Sequence, residues 1–137
     1  MRVMILGGGS SQIPAFRYAR RAGVETVLAD RDPEAPARRW ADRFVVASTF
    51  DVDAVADAAR RTAVDAIIAI GTDQPVYTAA VASARLGLPF PLDPERTRRM
   101  TNKAPMKRRL READIPTAPF ALLGADPARW SDEGFDR

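Results

Sequence analysis

The 137-residue chain carries a net charge of +3, and its 46% of apolar residues suffice for one domain with a hydrophobic core. It contains neither cysteine nor histidine, so disulfides, thiolate chemistry and imidazole catalysis within the chain are excluded. No apolar run reaches membrane-spanning length and the N-terminus has no secretory pattern, so we expect a cytoplasmic protein without membrane contact.

Short apolar runs alternate with segments of helical periodicity along the chain. The predicted strands are 3–6, 24–29, 44–46 and 66–70. The predicted helices are 10–22, 51–61 and 75–86, with at most a short helix at 35–40. Gly23 and Gly87 are expected to end the first and the last of these helices. This alternation is typical of parallel strands joined by helical crossovers.

The predicted fold class is therefore α/β, an open parallel half-Rossmann sheet of order 3-2-1-4 with helices on both faces, in three layers. We place one domain at residues 1–113. Residues 114–137 are expected to form a linker, one further strand at 118–123 and a frayed polar end.

Both lysines of the chain lie in one short segment, at Lys103 and Lys107, although lysine and arginine together number 21. The compact lysine charge suits a single phosphate oxygen better than the planar fork of arginine does. Asn102 is predicted to cap a helix with Pro105 in its first turn, so Lys103 would stand at a helix N-terminus that favours an anion. The alternative is a solvated basic helix start in a chain whose codon usage favours arginine.

The carboxyl ends of the first and fourth strands are the predicted place for a ligand, because the strand order reverses between them. The loops after these two strands and the end of strand two supply the candidate substrate-binding residues. These are Gly8, Gly9, Ser10, Ser11, Asp30, Gly71, Thr72, Asp73 and Gln74. Glycine amides and serine hydroxyls could donate to a ligand, and Asp30 could accept from a ribose hydroxyl.

Each of these loops also has a purely structural interpretation. The glycines could merely turn the chain, and Thr72 or Asp73 could simply cap the following helix. The dinucleotide fingerprint requires a third glycine where this chain has Gln12, so the match is broken.

Several conspicuous residues are expected to have no ligand role. Solvated acidic side chains are predicted at Asp32, Glu34 and Asp42, and core aromatic side chains at Trp40 and Phe44. Residues 95–112 include eight basic and two acidic side chains, but no interleaved aromatic residues for base stacking, so nucleic acid is not an expected partner. A phosphate-bearing small molecule or an acidic neighbouring domain fits this stretch at least as well.

Five motifs, in order, cover nearly the whole chain. They are 3–9, 29–36 with 41–42, 70–73, 86–89, and 102–107 with 115–119. In this order they resemble the N-terminal, pre-ATP-grasp (biotin-carboxylase-N-like) domain of an ATP-grasp ligase. The aspartate-rich turn resembles carboxyaminoimidazole ribonucleotide synthetase and formate-dependent glycinamide ribonucleotide transformylase. The two-lysine helix resembles biotin carboxylase and the carbamoyl phosphate synthase large chain.

The resemblance implies a ligase that uses ATP and Mg²⁺ to activate a carboxylate or bicarbonate as an acyl phosphate, which an amine or another nucleophile then attacks. This first domain would help to bind the small-molecule acceptor, and Lys103 would reach the ATP phosphates from the edge. The family motif usually begins Asp-Lys, whereas this chain has Asn102 before the lysine. Such a first domain could also contribute to a homodimer.

The resemblance also implies a missing ATP-grasp domain, on the same or a separate chain. The sequence has no second glycine-rich lid and no set of magnesium ligands, so we expect no catalytic residue, no tightly bound cofactor and no ATP hydrolysis by this polypeptide alone. It would be an isolated domain, a proteolytic remnant or one half of a split enzyme. A stand-alone nucleotide- or dinucleotide-binding regulatory module is the alternative, and a protein-interaction domain using the basic face is a third hypothesis.

Overall fold

The computed structural model describes residues 1–121. The strands are β1 (Arg2–Leu6), β2 (Glu25–Asp30), β3 (Arg43–Val46) and β4 (Ala66–Ala69). The helices are α1 (Ile13–Arg21), α2 (Val52–Thr62), α3 (Gln74–Leu86), α4 (Pro94–Thr101) and α5 (Lys103–Glu112). Short 3₁₀ turns occur at Ser10–Gln12 and Arg38–Trp40. Within residues 1–121, no helix combines the length and the apolarity that crossing a membrane would require.

The four strands form one parallel sheet in the order β3-β2-β1-β4, which confirms the predicted fold class. Leu6, the last residue of β1, pairs with Ala29 of β2 and with Ala69 of β4. The loops that follow β1 and β4 therefore leave the sheet at the same level, at its carboxyl edge.

The two faces of β1 bury different halves of the core. Met4 and Leu6 pack with residues of α2 and α3, whereas Val3 and Ile5 pack with Phe16 of α1. This alternation follows from the two-residue period of a strand, and it produces the three layers expected from the sequence. Each fully buried side chain of this size contributes about 1.5–3 kcal/mol to folding.

Local signals fix most of the helix ends. Asp51 precedes α2, and its carboxylate accepts from the backbone N–H of Ala54 at 2.9 Å. Gly87 ends α3 with φ +66°, and Gly23 has φ +68° just after α1. The predicted ends of these helices are confirmed to within a few residues.

Helix α4 was not predicted, because Pro89, Pro91 and Pro94 indicate a loop between α3 and the basic segment. Asp93 starts this helix, since its Oδ1 accepts from the backbone N–H of Arg96 at 2.8 Å. Pro94 occupies the first helical position, where a missing N–H costs nothing. Thr97 is fully buried, and its hydroxyl donates to the carbonyl of Asp93 at 2.9 Å. An Asp-Pro-Glu sequence is a helix-start signal that the proline-rich context obscured.

Contacts within the chain group it into two compact units, Met1–Thr101 and Asn102–Arg137. The sequence had placed the boundary after residue 113, one helix later. Residues 118–121, the described part of the predicted last strand, are not in a strand. The rest of that strand and the predicted frayed end lie outside the described residues.

Candidate functional site

In the turn after β1, the first two backbone amides donate hydrogen bonds to other residues of the same domain. Gly7 has φ +94°, a conformation that favours glycine, and its N–H donates to the carbonyl of Ala29 at 2.9 Å. The N–H of Gly8 donates to Oδ2 of Asp30 at 2.7 Å. The amide of Gly8 was expected to face a ligand, but both amides connect β1 to β2.

Gly8 is enclosed by the segment that follows β2. A Cβ atom at this position would lie 2.7 Å from Cβ of Ala35 and 3.0 Å from Cδ2 of Leu28. The carbonyl of Gly8 accepts from the backbone N–H of Ala37 at 2.8 Å. Glycine is therefore required at position 8, because the segment after β2 approaches it closely.

Asp30 joins the loop after β1 to the loop after β2 through both of its carboxylate oxygens. Oδ2 accepts from Gly8, and Oδ1 accepts from the backbone N–H of Asp32 at 2.9 Å. The side chain was expected to meet a ribose hydroxyl. In the structure each of its oxygens accepts one hydrogen bond from the backbone of its own domain.

Ser10 and Ser11 lie exposed at the mouth of the turn, just after Gly9. A cleft of about 730 Å³ opens beside them, between the turn after β1 and the segment after β2. Its lining residues are Ser10, Ile13, Pro33, Glu34, Ala35, Pro36, Arg38 and Arg39. The guanidinium groups of Arg38 and Arg39 give this cleft a positive wall, although Arg38 also donates to the carbonyl of Pro33 and lies near Glu34. The Arg-Arg pair after the Ala-Pro turn was the sequence signal for this wall, and it was missed.

The loop after β4 forms the other half of the candidate site. Gly71 has φ +71°, Thr72 and Asp73 are exposed, and Gln74 begins α3. Asp73 stands at the cap position of α3, but its side chain makes no capping hydrogen bond. The capping interpretation of Asp73 therefore has no support in the geometry.

Gln12 brings the two loops together. Its side chain is 3% exposed, and Nε2 donates to the carbonyl of Ile70 at 2.7 Å. The sequence had presented Gln12 only as a missing glycine. In the structure it is a buried connection between the loop after β1 and the loop after β4.

Asp42 was expected to be solvated, and it is exposed, but its carboxylate also has a structural contact. Oδ2 accepts from the backbone N–H of Thr26 at 2.7 Å and from its hydroxyl at 2.8 Å. The hydrogen bond from the backbone of Thr26 is the main cause that lowers the pKa of Asp42 below its ordinary value. Asp42 thus fixes the approach to β3 against the start of β2.

Trp40 and Phe44 pack against the apolar cluster beneath α1, as expected for partly buried core residues. Arginine side chains also surround the Trp40 ring, at distances of 5.4 to 6.0 Å from its centre. These are Arg17, Arg20 and Arg39. The cation–π geometry accounts for their position over the aromatic surface without any ligand.

The second unit contains the two lysines, and the structure gives them different surroundings. Asn102 caps α5, since its Oδ1 accepts from the N–H of Ala104 at 3.1 Å, which confirms the predicted helix start. Lys103 is the first residue of that helix and is exposed. Lys107 donates to Oγ1 of Thr117 at 2.7 Å and to the carbonyl of Ala118 at 3.1 Å. Lys107 therefore holds the segment that follows its own helix.

Comparison with known proteins places this geometry in a family. Residues 16–90 match the family model of the ATP-grasp N-terminal domain. The chain is 35% identical over 127 residues to the formate-dependent phosphoribosylglycinamide formyltransferase of Burkholderia cenocepacia. That match covers 88% of this chain and 30% of the relative.

Solved structures agree with this assignment. Glycinamide-RNase-transformylase T from Mycobacterium tuberculosis is 25% identical with a TM-score of 0.75, covering 91% of this chain and 36% of that one. Two others share the fold. Phosphoribosylglycinamide synthetase from Anaerococcus prevotii is 21% identical with a TM-score of 0.74, covering 90% of this chain and 32% of that one. N5-carboxyaminoimidazole ribonucleotide synthetase from Thermotoga maritima is 22% identical with a TM-score of 0.68, covering 91% and 34%.

This chain spans about a third of the length of these relatives. The family match covers more than half of the chain, and the curated relative aligns with almost all of it. The chain belongs to the ATP-grasp N-terminal domain family.

Proposed function

We propose that this chain is the acceptor-binding domain of an ATP-dependent ligase and that it is not catalytic by itself. The observation that carries the proposal is the 35% identity to a phosphoribosylglycinamide formyltransferase over 88% of the chain, together with the match to the ATP-grasp N-terminal domain. The relative's length supports a second body of polypeptide that completes the enzyme, on the same chain or another. A cytoplasmic location is part of the proposal, and the absence of cysteine is compatible with it.

The acceptor would bind at the carboxyl edge of the sheet, between the loops after β1 and β4. Ser10 and Ser11 would donate from one side, and Thr72 and Asp73 would contact the acceptor from the other. Gly8 and Asp30 would support this surface without touching the acceptor, because the hydrogen bond between them holds the loop after β1 to the loop after β2. The relative's name makes phosphoribosylglycinamide the first acceptor to test. The two arginines of the neighbouring cleft suit an anionic acceptor of this kind.

Lys103 is the residue that we assign to ATP. It begins a helix that Asn102 caps, so the ammonium group and the positive end of the helix dipole would favour a phosphate oxygen together. When bound, ATP with Mg²⁺ would supply the phosphoryl group that activates a carboxylate. Within residues 1–121, no group of three or more acidic side chains is placed to hold a metal ion.

Titration of the ¹⁵N-labelled chain with phosphoribosylglycinamide tests the proposal. We expect the backbone amide signals of 9–11 and 71–74 to shift in a saturable way, and those of α2 to stay unchanged. Glycine and inorganic phosphate are the controls for the two ends of the molecule. Saturable shifts confined to other parts of the chain, or none at millimolar acceptor, would refute acceptor binding at this edge.

A nucleotide-binding module is the second candidate. A cleft of about 490 Å³ favours it, because this cleft is lined by Asp30, Arg31, Ser48, Thr49 and the exposed ring of Phe50. The hydrogen bonds that Asp30 already makes to Gly8 and Asp32 weigh against it, and so does the buried Gln12. Micromolar NAD binding that is lost in Asp30→Ala, in a variant that remains folded, would favour this module over the ligase domain.

A further inference from the structure

The side chain of Gln12 lies just beyond the last paired residues of β1 and β4. The ladder between β1 and β4 ends at the pair Leu6 and Ala69, so the carbonyl of Ile70 comes one residue after the last strand pair. On the other side of β1, the backbone N–H of Gly7 still pairs with Ala29. The side-chain amide of Gln12 donates to Ile70 instead, at 2.7 Å. It therefore continues the β1–β4 ladder by one step.

Gly9 makes room for this amide. A Cβ atom on Gly9 would lie 2.9 Å from Oε1 of Gln12, which is too close, whereas one on Gly71 would lie at an ordinary contact distance of 3.5 Å from Nε2. Gly9 has φ −65° and ψ 170°, a conformation that any residue adopts. The need for glycine at position 9 thus comes from Gln12 and not from the backbone.

We propose that Gln12 is a positioning residue that fixes the loop 70–74 against the loop 7–12, so that the two loops form one acceptor site. The side chain that breaks the dinucleotide pattern is then the one that assembles the site. The inference rests on the proposed function for what the site binds, but the coupling of the loops can be measured without any ligand.

Gln12→Met tests whether the amide or merely its volume matters. Methionine has a similar size and shape but cannot donate to Ile70, so the carbonyl of Ile70 loses its partner in a partly buried hydrogen bond. We expect hydrogen-exchange protection of the amides in 70–74 to fall about tenfold, while protection in α2 stays unchanged. Protection in 70–74 within about twofold of the wild type would overturn the proposal.

Gln12→Glu gives a second test that uses pH. A protonated glutamic acid can donate to Ile70, whereas the carboxylate cannot, and burial favours the protonated form. The variant should therefore match the wild type near pH 5 and lose loop protection and stability as the pH rises towards about 8. Asp73 is the titratable side chain within the loops 7–12 and 70–74, and it is present in both proteins.

Gln74→Glu is the matched control, because it makes the same chemical change in the adjacent loop, where the side chain is only half-buried. We expect little difference between pH 5 and pH 8 for this variant. If Gln12→Met does not fold, the pH profile of Gln12→Glu decides the question alone. A Gln12→Glu profile that parallels that of Gln74→Glu would overturn the proposal.

The acceptor titration separates this inference from the proposed function. If phosphoribosylglycinamide shifts both loops of the wild type, Gln12→Met should weaken the response of 71–74 more than that of 9–11. If it shifts neither loop of the wild type, the proposed function fails, and the exchange measurements still decide the role of Gln12.

Discussion

The carboxylate of Asp30 accepts a 2.7 Å hydrogen bond from the backbone N–H of Gly8, across 22 residues of sequence. This bond joins the end of β2 to the turn after β1. The other carboxylate oxygen of Asp30 accepts from the backbone N–H of Asp32 at 2.9 Å. Asp30 therefore supports the candidate site from behind, where the sequence had suggested direct contact with a ribose.

Asp30→Ala should destabilise the protein by about 1–3 kcal/mol, because the partly buried N–H of Gly8 would lose its acceptor. Asp30→Asn should cost less, since its amide oxygen can still accept from Gly8. Urea unfolding measures both free energies. Asp32→Ala is the control, because that carboxylate contacts only an exposed N–H, that of Glu34. An Asp30→Ala loss no greater than that of Asp32→Ala would contradict this account.

Gly8→Ala should destabilise the protein by about 1–3 kcal/mol through overpacking against Ala35. Ala35→Gly removes the atom that the new Cβ would meet at 2.7 Å. The double variant Gly8→Ala/Ala35→Gly should therefore recover part of the loss in a double-mutant cycle. Strict additivity of the two free-energy changes would show that the contact between the two loops is not the cause.

Asp42 should make the protein less stable in acid. Its pKa is lowered chiefly because the backbone N–H of Thr26 donates to the carboxylate, so the ionised form stabilises the fold. A lowered folded-state pKa gives stability that is present above the ordinary value of 3.8 and is lost as the pH falls through the folded-state pKa. Thermal unfolding between about pH 6 and pH 3 measures this. Asp42→Asn should flatten the decline of Tm, and an unchanged slope would contradict the assignment.

Lys107 should hold the segment 115–120 against α5. Lys107→Met removes the donors to Thr117 and to the carbonyl of Ala118. The rate of hydrogen exchange in this segment should rise several-fold, because charge-assisted hydrogen bonds are lost. Lys103→Met is the matched control, and it should change exchange in this segment less. Equal effects of the two substitutions would mean that the two lysines do not differ in the way that we describe.

The sheet could be predicted because its information is local. Apolar runs such as Val3–Leu6 and the helix-ending Gly23 and Gly87 fix strands, crossovers and hence the strand order. The site was only partly predictable, because the partners of its residues are distant in sequence. Nothing near Asp30 indicates that Gly8 will donate to it, and Gln12 looked like a defect until the position of Ile70 was known.

A chimera tests the central claim most directly. This chain would replace the aligned N-terminal part of the Burkholderia cenocepacia formyltransferase, and ATP hydrolysis would be measured with and without phosphoribosylglycinamide. We predict acceptor-dependent turnover that falls about a hundredfold in Lys103→Ala, because the substitution removes a positive charge that would stabilise the phosphates. Turnover in a folded chimera that is indifferent to Lys103→Ala, or ATP hydrolysis by this chain alone, would contradict the account.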